Sequence, residues 1–89
     1  MIRQELEQLK KLIWQKRRSG ATGEIDEMIK PLHEKMISSS AAIDDPTLKK
    51  IFILHCSGIS PREMTGMINY SRGHIFELIR KAERIVTGE

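Results

Sequence analysis

The sequence predicts an all-α fold in two parts: an N-terminal helical hairpin or coiled-coil arm over residues 1–40, and a C-terminal domain of three helices over residues 44–87. Three observations carry that expectation. Apolar residues recur at helical spacing along most of the chain, and no stretch alternates with period two for the length of a strand. Asp45, Ser60 and Ser71 each stand directly before such a stretch, where a short polar side chain can cap a helix. The stretches between are short and built from Gly, Ser, Ala and Asn.

Residues 1 to about 18 are dense in strong helix formers. Ile2, Leu6, Leu9 and Ile13 follow a 4-3-4 spacing, the seam of a coiled coil or of a helix pair. Glu5 and Glu7 lie early and Lys16, Arg17 and Arg18 late, as the helix dipole favours. Two and a half heptads do not make a free-standing zipper, so the seam needs a partner from this chain or from a second copy. The second choice makes Ile2, Leu6, Leu9, Ile13 and Trp14 the contacts of a homodimer. Trp14 lies off the strict seam and suits either packing under a hairpin or anchoring a partner.

Ser19, Gly20, Ala21, Thr22 and Gly23 form the first break. A second helix is expected from about residue 24 to 37, with Ile25, Met28, Ile29, Leu32 and Met36 as its apolar stripe. Pro31 falls inside it and should kink or split it. The simplest arrangement folds helix one back on helix two. Residues 38–42, three serines and two alanines, read as a linker. Asp45 and Pro46 then start a third helix that runs to about residue 57, carrying Leu48, Ile51, Phe52 and Leu54 or His55 inward and ending at Gly58 as a C′ residue.

Ser60, Pro61 and Glu63 form a capping box with proline at the first helical position. Ser71 caps the next helix, about 71–86, whose apolar series is Ile75, Leu78, Ile79 and Ile85. Asn69 sits where the chain must turn and suits a left-handed conformation. Met64, Ile68, Tyr70, Ile75 and Leu78 are available to wedge the pair. A short helix, a tight turn and a longer helix make a helix-turn-helix, the second helix being the one that enters a major groove.

Residues 48–85 resemble the LuxR-type and sigma-factor region-four helix-turn-helix, as found in small phage or bacterial transcriptional regulators. The likeness rests on an apolar helix over residues 51–54, the Gly58, Ile59, Ser60 turn, Glu63 and Met64, then Ser71, Ile75 and Ile79. Thr65 stands where that family places a small alanine, and Asn69 where it places the turn glycine. Thr65 must therefore bury its hydroxyl or bond it back to the preceding turn. The resemblance implies a DNA-binding module without naming its target.

The net charge of +3 is spread over the chain, with eight cations against six anions in residues 1–43 and seven against six in residues 44–89. Such a balance permits a nucleic-acid partner without demanding one. The lone Cys56 allows no internal disulfide and fits a reducing, cytoplasmic setting; it reads as a small core residue. The longest apolar run, residues 51–54, is far too short for a membrane span, and the polar start reads as no leader. His33, His55 and His74 share no ligand spacing, and no catalytic, cofactor or phosphate-loop constellation is present, so the expectation is a non-enzyme without metal or cofactor.

The residues expected at double-stranded DNA are Ser60, Arg62, Ser71, Arg72, Gly73, His74, Phe76, Glu77, Arg80, Lys81 and Arg84. Arg72 and Arg80 suit guanine edges or phosphates, Phe76 a thymine methyl, and Gly73 a close approach of the backbone. Lys16, Arg17 and Arg18 could add phosphate contacts. The bland reading of these charges is a solvated helix face. The sequence therefore points to a small sequence-specific DNA-binding regulator, dimeric through its N-terminal arm. The alternative is a modulator that grips a transcription factor or polymerase through Phe76 and Trp14 without touching DNA.

Overall fold

The computed structural model describes residues 2–20 and 23–88, so the Ala21 and Thr22 part of the first break lies outside the described residues. The described chain is helical and holds no strand. Five α-helices follow in order: α1 Ile2–Ser19, α2 Gly23–Ser39, α3 Pro46–Cys56, α4 Pro61–Met64 and α5 Arg72–Thr87, with a 3-10 turn at Ser40–Ala42.

The starts are set by local chemistry. Asp45 accepts hydrogen bonds from the backbone N–H of Thr47 (2.8 Å) and Leu48 (3.1 Å), with Pro46 in the first turn. Both halves of the expected capping box form: Glu63 N–H donates to Ser60 Oγ at 3.2 Å, and Ser60 N–H to Glu63 Oε1 at 3.1 Å. Ser71 Oγ accepts from His74 N–H at 3.2 Å. At the end of α3, Gly58 takes φ +88°, its N–H bonds His55 O (3.2 Å), and Ile59 N–H bonds Leu54 O (3.0 Å). That is the glycine-terminated Schellman pattern, and it turns the chain sharply into α4.

Two buried clusters hold the helices together. The larger joins Leu6 and Leu9 of α1, Met36 of α2, Ile43, Leu48, Phe52 and Cys56 of α3, and Ala82 of α5. The smaller joins Ile51 of α3, Met64 of α4, and Ile75 and Ile79 of α5, with Leu78 packed against both. Because the first cluster draws on both sides of residue 43, the split into residues 1–40 and 44–87 does not follow the packing. The two segments share one core.

That core answers the question of the seam. Leu6 and Leu9 are fully buried and Ile2 and Ile13 pack against the same cluster, so α1 finds its partner within its own chain. Leu6 and Leu9 are therefore closed to a second copy, unlike the dimer expectation, while Ile2 and Ile13 are half-buried; of the five named residues only Trp14 is exposed.

Three further expectations are corrected. Residues 38–42 are not a linker: α2 runs through Ser39, Ser40 is buried with its hydroxyl donating to Ile37 O at 2.5 Å, and Ile43 enters the core. Pro31 does not split α2, which is continuous across it. Pro31 and Glu27 are both exposed, so water can reach the carbonyl that proline leaves without a donor. Asn69 is not left-handed, since among the described residues only glycines have positive φ. The turn over residues 65–70 instead closes through hydrogen bonds from Met67 and Ile68 N–H to Met64 O, at 2.9 and 2.8 Å.

Leu9→Ala should cost about 2–5 kcal/mol, the range for a large-to-small change in a core. Because the core is shared, urea unfolding should remain one transition by helical circular dichroism and by Trp14 fluorescence, shifted together. Loss of α1 with α3–α5 left intact would contradict the shared core.

Candidate nucleic-acid interface

Helix α5 is amphipathic, and its inner face is occupied. Ile75, Ile79 and Ala82 are buried at spacing four and three, with Leu78 and Val86 half-buried beside them. Helical geometry then sends Arg72, Gly73, His74, Phe76, Glu77, Arg80, Lys81 and Arg84 outward, and all eight are exposed. Ile85, expected inward, sits at the margin and is exposed as well.

Arg72, Arg80, Lys81 and Arg84 engage in no ion pair among the described residues. The Glu77–Lys81 neighbour contact of the bland reading does not form; Glu77 lies 3.9 Å from His74 Nδ1 instead. Tyr70 is exposed rather than wedged between helices, and its ring meets the His74 ring edge-on at a centroid distance of 4.7 Å. Phe76 is 47% exposed, an apolar side chain one turn from Arg72 on one side and Arg80 on the other. A Cβ added at Gly73 would meet nothing in the chain, so no internal packing demands glycine there.

Helix α4 contributes less than expected. Arg62 is exposed, but the Ser60 hydroxyl is engaged within its capping box, donating to Glu63 Oε1 at 2.9 Å while accepting from Glu63 N–H. Ser71 Oγ is an acceptor for the α5 N-terminus, which leaves its proton free to donate. Thr65 bonds its hydroxyl back to Arg62 O at 2.6 Å, the second of the two solutions open to it.

The basic end of α1 behaves differently from α5. Lys16 pairs with Asp26 at 2.7 Å, Arg17 bonds Gly58 O and Glu63 Oε1, and the Arg18 guanidinium lies 4.7 Å over the Trp14 ring. Lys16 and Arg17 thus have carboxylate partners inside the chain, while Arg18 meets only the Trp14 ring. The Arg17 bonds have a structural consequence, because Glu63 is also the residue that closes the capping box of α4. The Arg17 hydrogen bond, helped by those from Ser60, holds the Glu63 carboxyl down at about 2.

A second polar knot ties α1, α3 and α5 together on the inner side. Glu83 is 9% exposed and receives His55 Nε2 at 3.0 Å and Lys10 Nζ at 3.2 Å. Burial alone would raise the Glu83 carboxyl, but the His55 hydrogen bond and the Lys10 charge outweigh it and hold the group below its ordinary value. Burial, reinforced by the Glu83 charge, pushes the neighbouring Cys56 thiol up to about 12, which keeps it protonated and unreactive. Sequence reasoning did not find Arg17, Lys10, His55 or Glu83 in these roles. Glu83 could have been placed, since it follows Ile79 at four residues and so shares its face.

Among the described residues no cluster of His, Cys, Asp and Glu could hold a metal, and no helix is long and apolar enough to cross a membrane. Comparison with protein-family models, curated proteins and solved structures gives no match.

The depressed Glu63 carboxyl has a signed effect on stability. It titrates at about 2 in the fold against an ordinary 4.5, so between those pH values the unfolded chain binds more protons. Its contribution is complete above pH 4.5 and disappears as pH falls toward 2. Glu63→Gln should therefore flatten this part of an acid-unfolding curve followed by circular dichroism. Superimposable wild-type and variant curves there would show that the Arg17 contact does not stabilise the charged form.

Proposed function

We propose that this protein is a small DNA-binding regulator of transcription, with α4 and α5 as a helix-turn-helix and α5 as the helix that enters the major groove. The observation that carries the reading is the outward face of α5, where Arg72, Arg80, Lys81 and Arg84 stand exposed without a carboxylate partner among the described residues. Several cations of other helices are by contrast bound up within the chain, as at Lys10, Lys16, Arg17 and Lys35. Unpaired cations along one helical face are what a polyanionic duplex rewards, through release of its condensed counterions.

The residue types on that face divide the work. Arg72 and Arg80 can take guanine edges bidentately, Lys81 and Arg84 suit phosphates, and Phe76 can pack on a thymine methyl. Glu77 fits the same scheme as an acceptor for a cytosine amino group. With the α1 seam closed within the chain, one protein presents one α5. A pair of copies on an inverted repeat, with recognition helices about 34 Å apart, would need a contact outside that seam.

The second reading, a protein-binding modulator, is favoured by the exposure of Phe76 on the same face. The two separate on salt. Fluorescence anisotropy of a labelled duplex pool should show binding that weakens steeply with added salt and that enriches a sequence on selection. Arg72→Ala with Arg80→Ala should abolish the enrichment and leave helicity unchanged, since both side chains are exposed. Unimpaired binding by the double variant, or no binding at low salt, would remove the DNA reading.

A further inference from the structure

A separate surface lies on α1. Lys11, Trp14 and Arg18 follow at spacings of three and four and so share one face of the helix. Trp14 is 59% exposed, and Arg18 stacks on its ring without pairing with a carboxylate among the described residues. Lys11 is exposed and has no ion pair among the described residues. Beside this stripe opens a groove of about 260 Å³ between α1 and the turn into α4, with Ile13, Trp14, Ile59 and Pro61 as its apolar walls. The lysine and arginine that line it, Lys10 and Arg17, are already held by Glu83 and Glu63. What remains is an apolar slot with Trp14 on its rim; Lys11 and Arg18 do not line it but flank Trp14 on the outer face of α1.

We propose that this groove docks an acidic amphipathic helix of a protein partner, its large apolar side chain entering beside Trp14 while its carboxylates pair with Lys11 and Arg18. Seven residues separate the two cations, about 10.5 Å along the axis at 1.5 Å per residue. A second helix lying along α1 returns to the same face at that same interval, so carboxylates seven residues apart can bracket one apolar anchor. Desolvated aromatic and arginine side chains around a pocket are the usual anchors of a protein interface. A second copy of this chain is a poor occupant, because it would bring its own Lys11 and Arg18 against these and set like charges together. A duplex is also a poor one, since the apolar walls give nothing to phosphates. The proposal does not rest on the DNA reading of α5.

Trp14 is the only tryptophan, so its emission reports on the groove. The full chain is titrated with a synthetic helical peptide carrying one phenylalanine between two glutamates seven residues apart, and with its lysine counterpart. The glutamate peptide should shift Trp14 emission to the blue in a saturable, salt-sensitive way, and the lysine peptide should not. Lys11→Glu with Arg18→Glu should weaken the glutamate peptide about tenfold, with the helical signal retained because both residues are exposed. No shift with either peptide, or equal shifts with both, would overturn the proposal. So would displacement of the bound peptide by a duplex, or a concentration-dependent blue shift of the protein alone, which would assign the groove to a nucleic acid or to a second copy.

Discussion

Burial of Leu6 and Leu9 against Met36, Phe52 and Ala82 is the constraint on which the other features depend. Each such side chain contributes about 1.5–3 kcal/mol when fully removed from water. In a chain of 89 residues with few aromatics, that is a large share of the net stability available. Without α1 the inner faces of α3 and α5 would lie open, and a domain of that size rarely closes a core by itself. The seam that could have held two copies together instead makes one chain a single body.

Docking α1 also decides where its charges go. Arg17 is carried to Gly58 O and to Glu63, so the helix that closes the core also steadies the cap of α4. Lys10 is carried to Glu83, where with His55 it compensates a carboxylate that burial alone would leave costly. Gly58 sits at the junction of these effects. Its left-handed φ, which favours glycine, turns α3 into α4 beside Ile13 of α1, whose side chain an added Cβ would meet at 3.4 Å, an ordinary contact.

The result is an uneven division of positive charge in a chain whose net charge is modest. Lys16 and Arg17 at the end of α1 are matched by Asp26 and Glu63, whereas Arg18 meets only the Trp14 ring and the cations on α5 meet no carboxylate among the described residues. The proposed roles of α5 and of the Trp14 groove rest on the unmatched cations, polyanion on one surface and acidic peptide on another.

By itself the sequence determined the helices and their starts. Asp45, Ser60 and Ser71 cap them, Gly58 ends α3 with a positive φ, and the outward set on α5 follows from 3.6-residue periodicity around Ile75 and Ile79. These are interactions within a few residues along the chain, so local chemistry suffices to read them. Only the tertiary structure decided what the α1 seam packs against, that Ser40 and Ile43 belong to the core rather than to a linker, that the 65–70 turn closes without a left-handed asparagine, and that Arg17 and Glu83 find partners 46 and 28 residues away. Each of those outcomes depends on which helix faces meet. A seam or a serine run carries the same local propensity whichever partner it meets, and the choice is made by the burial that assembling all five helices achieves at once.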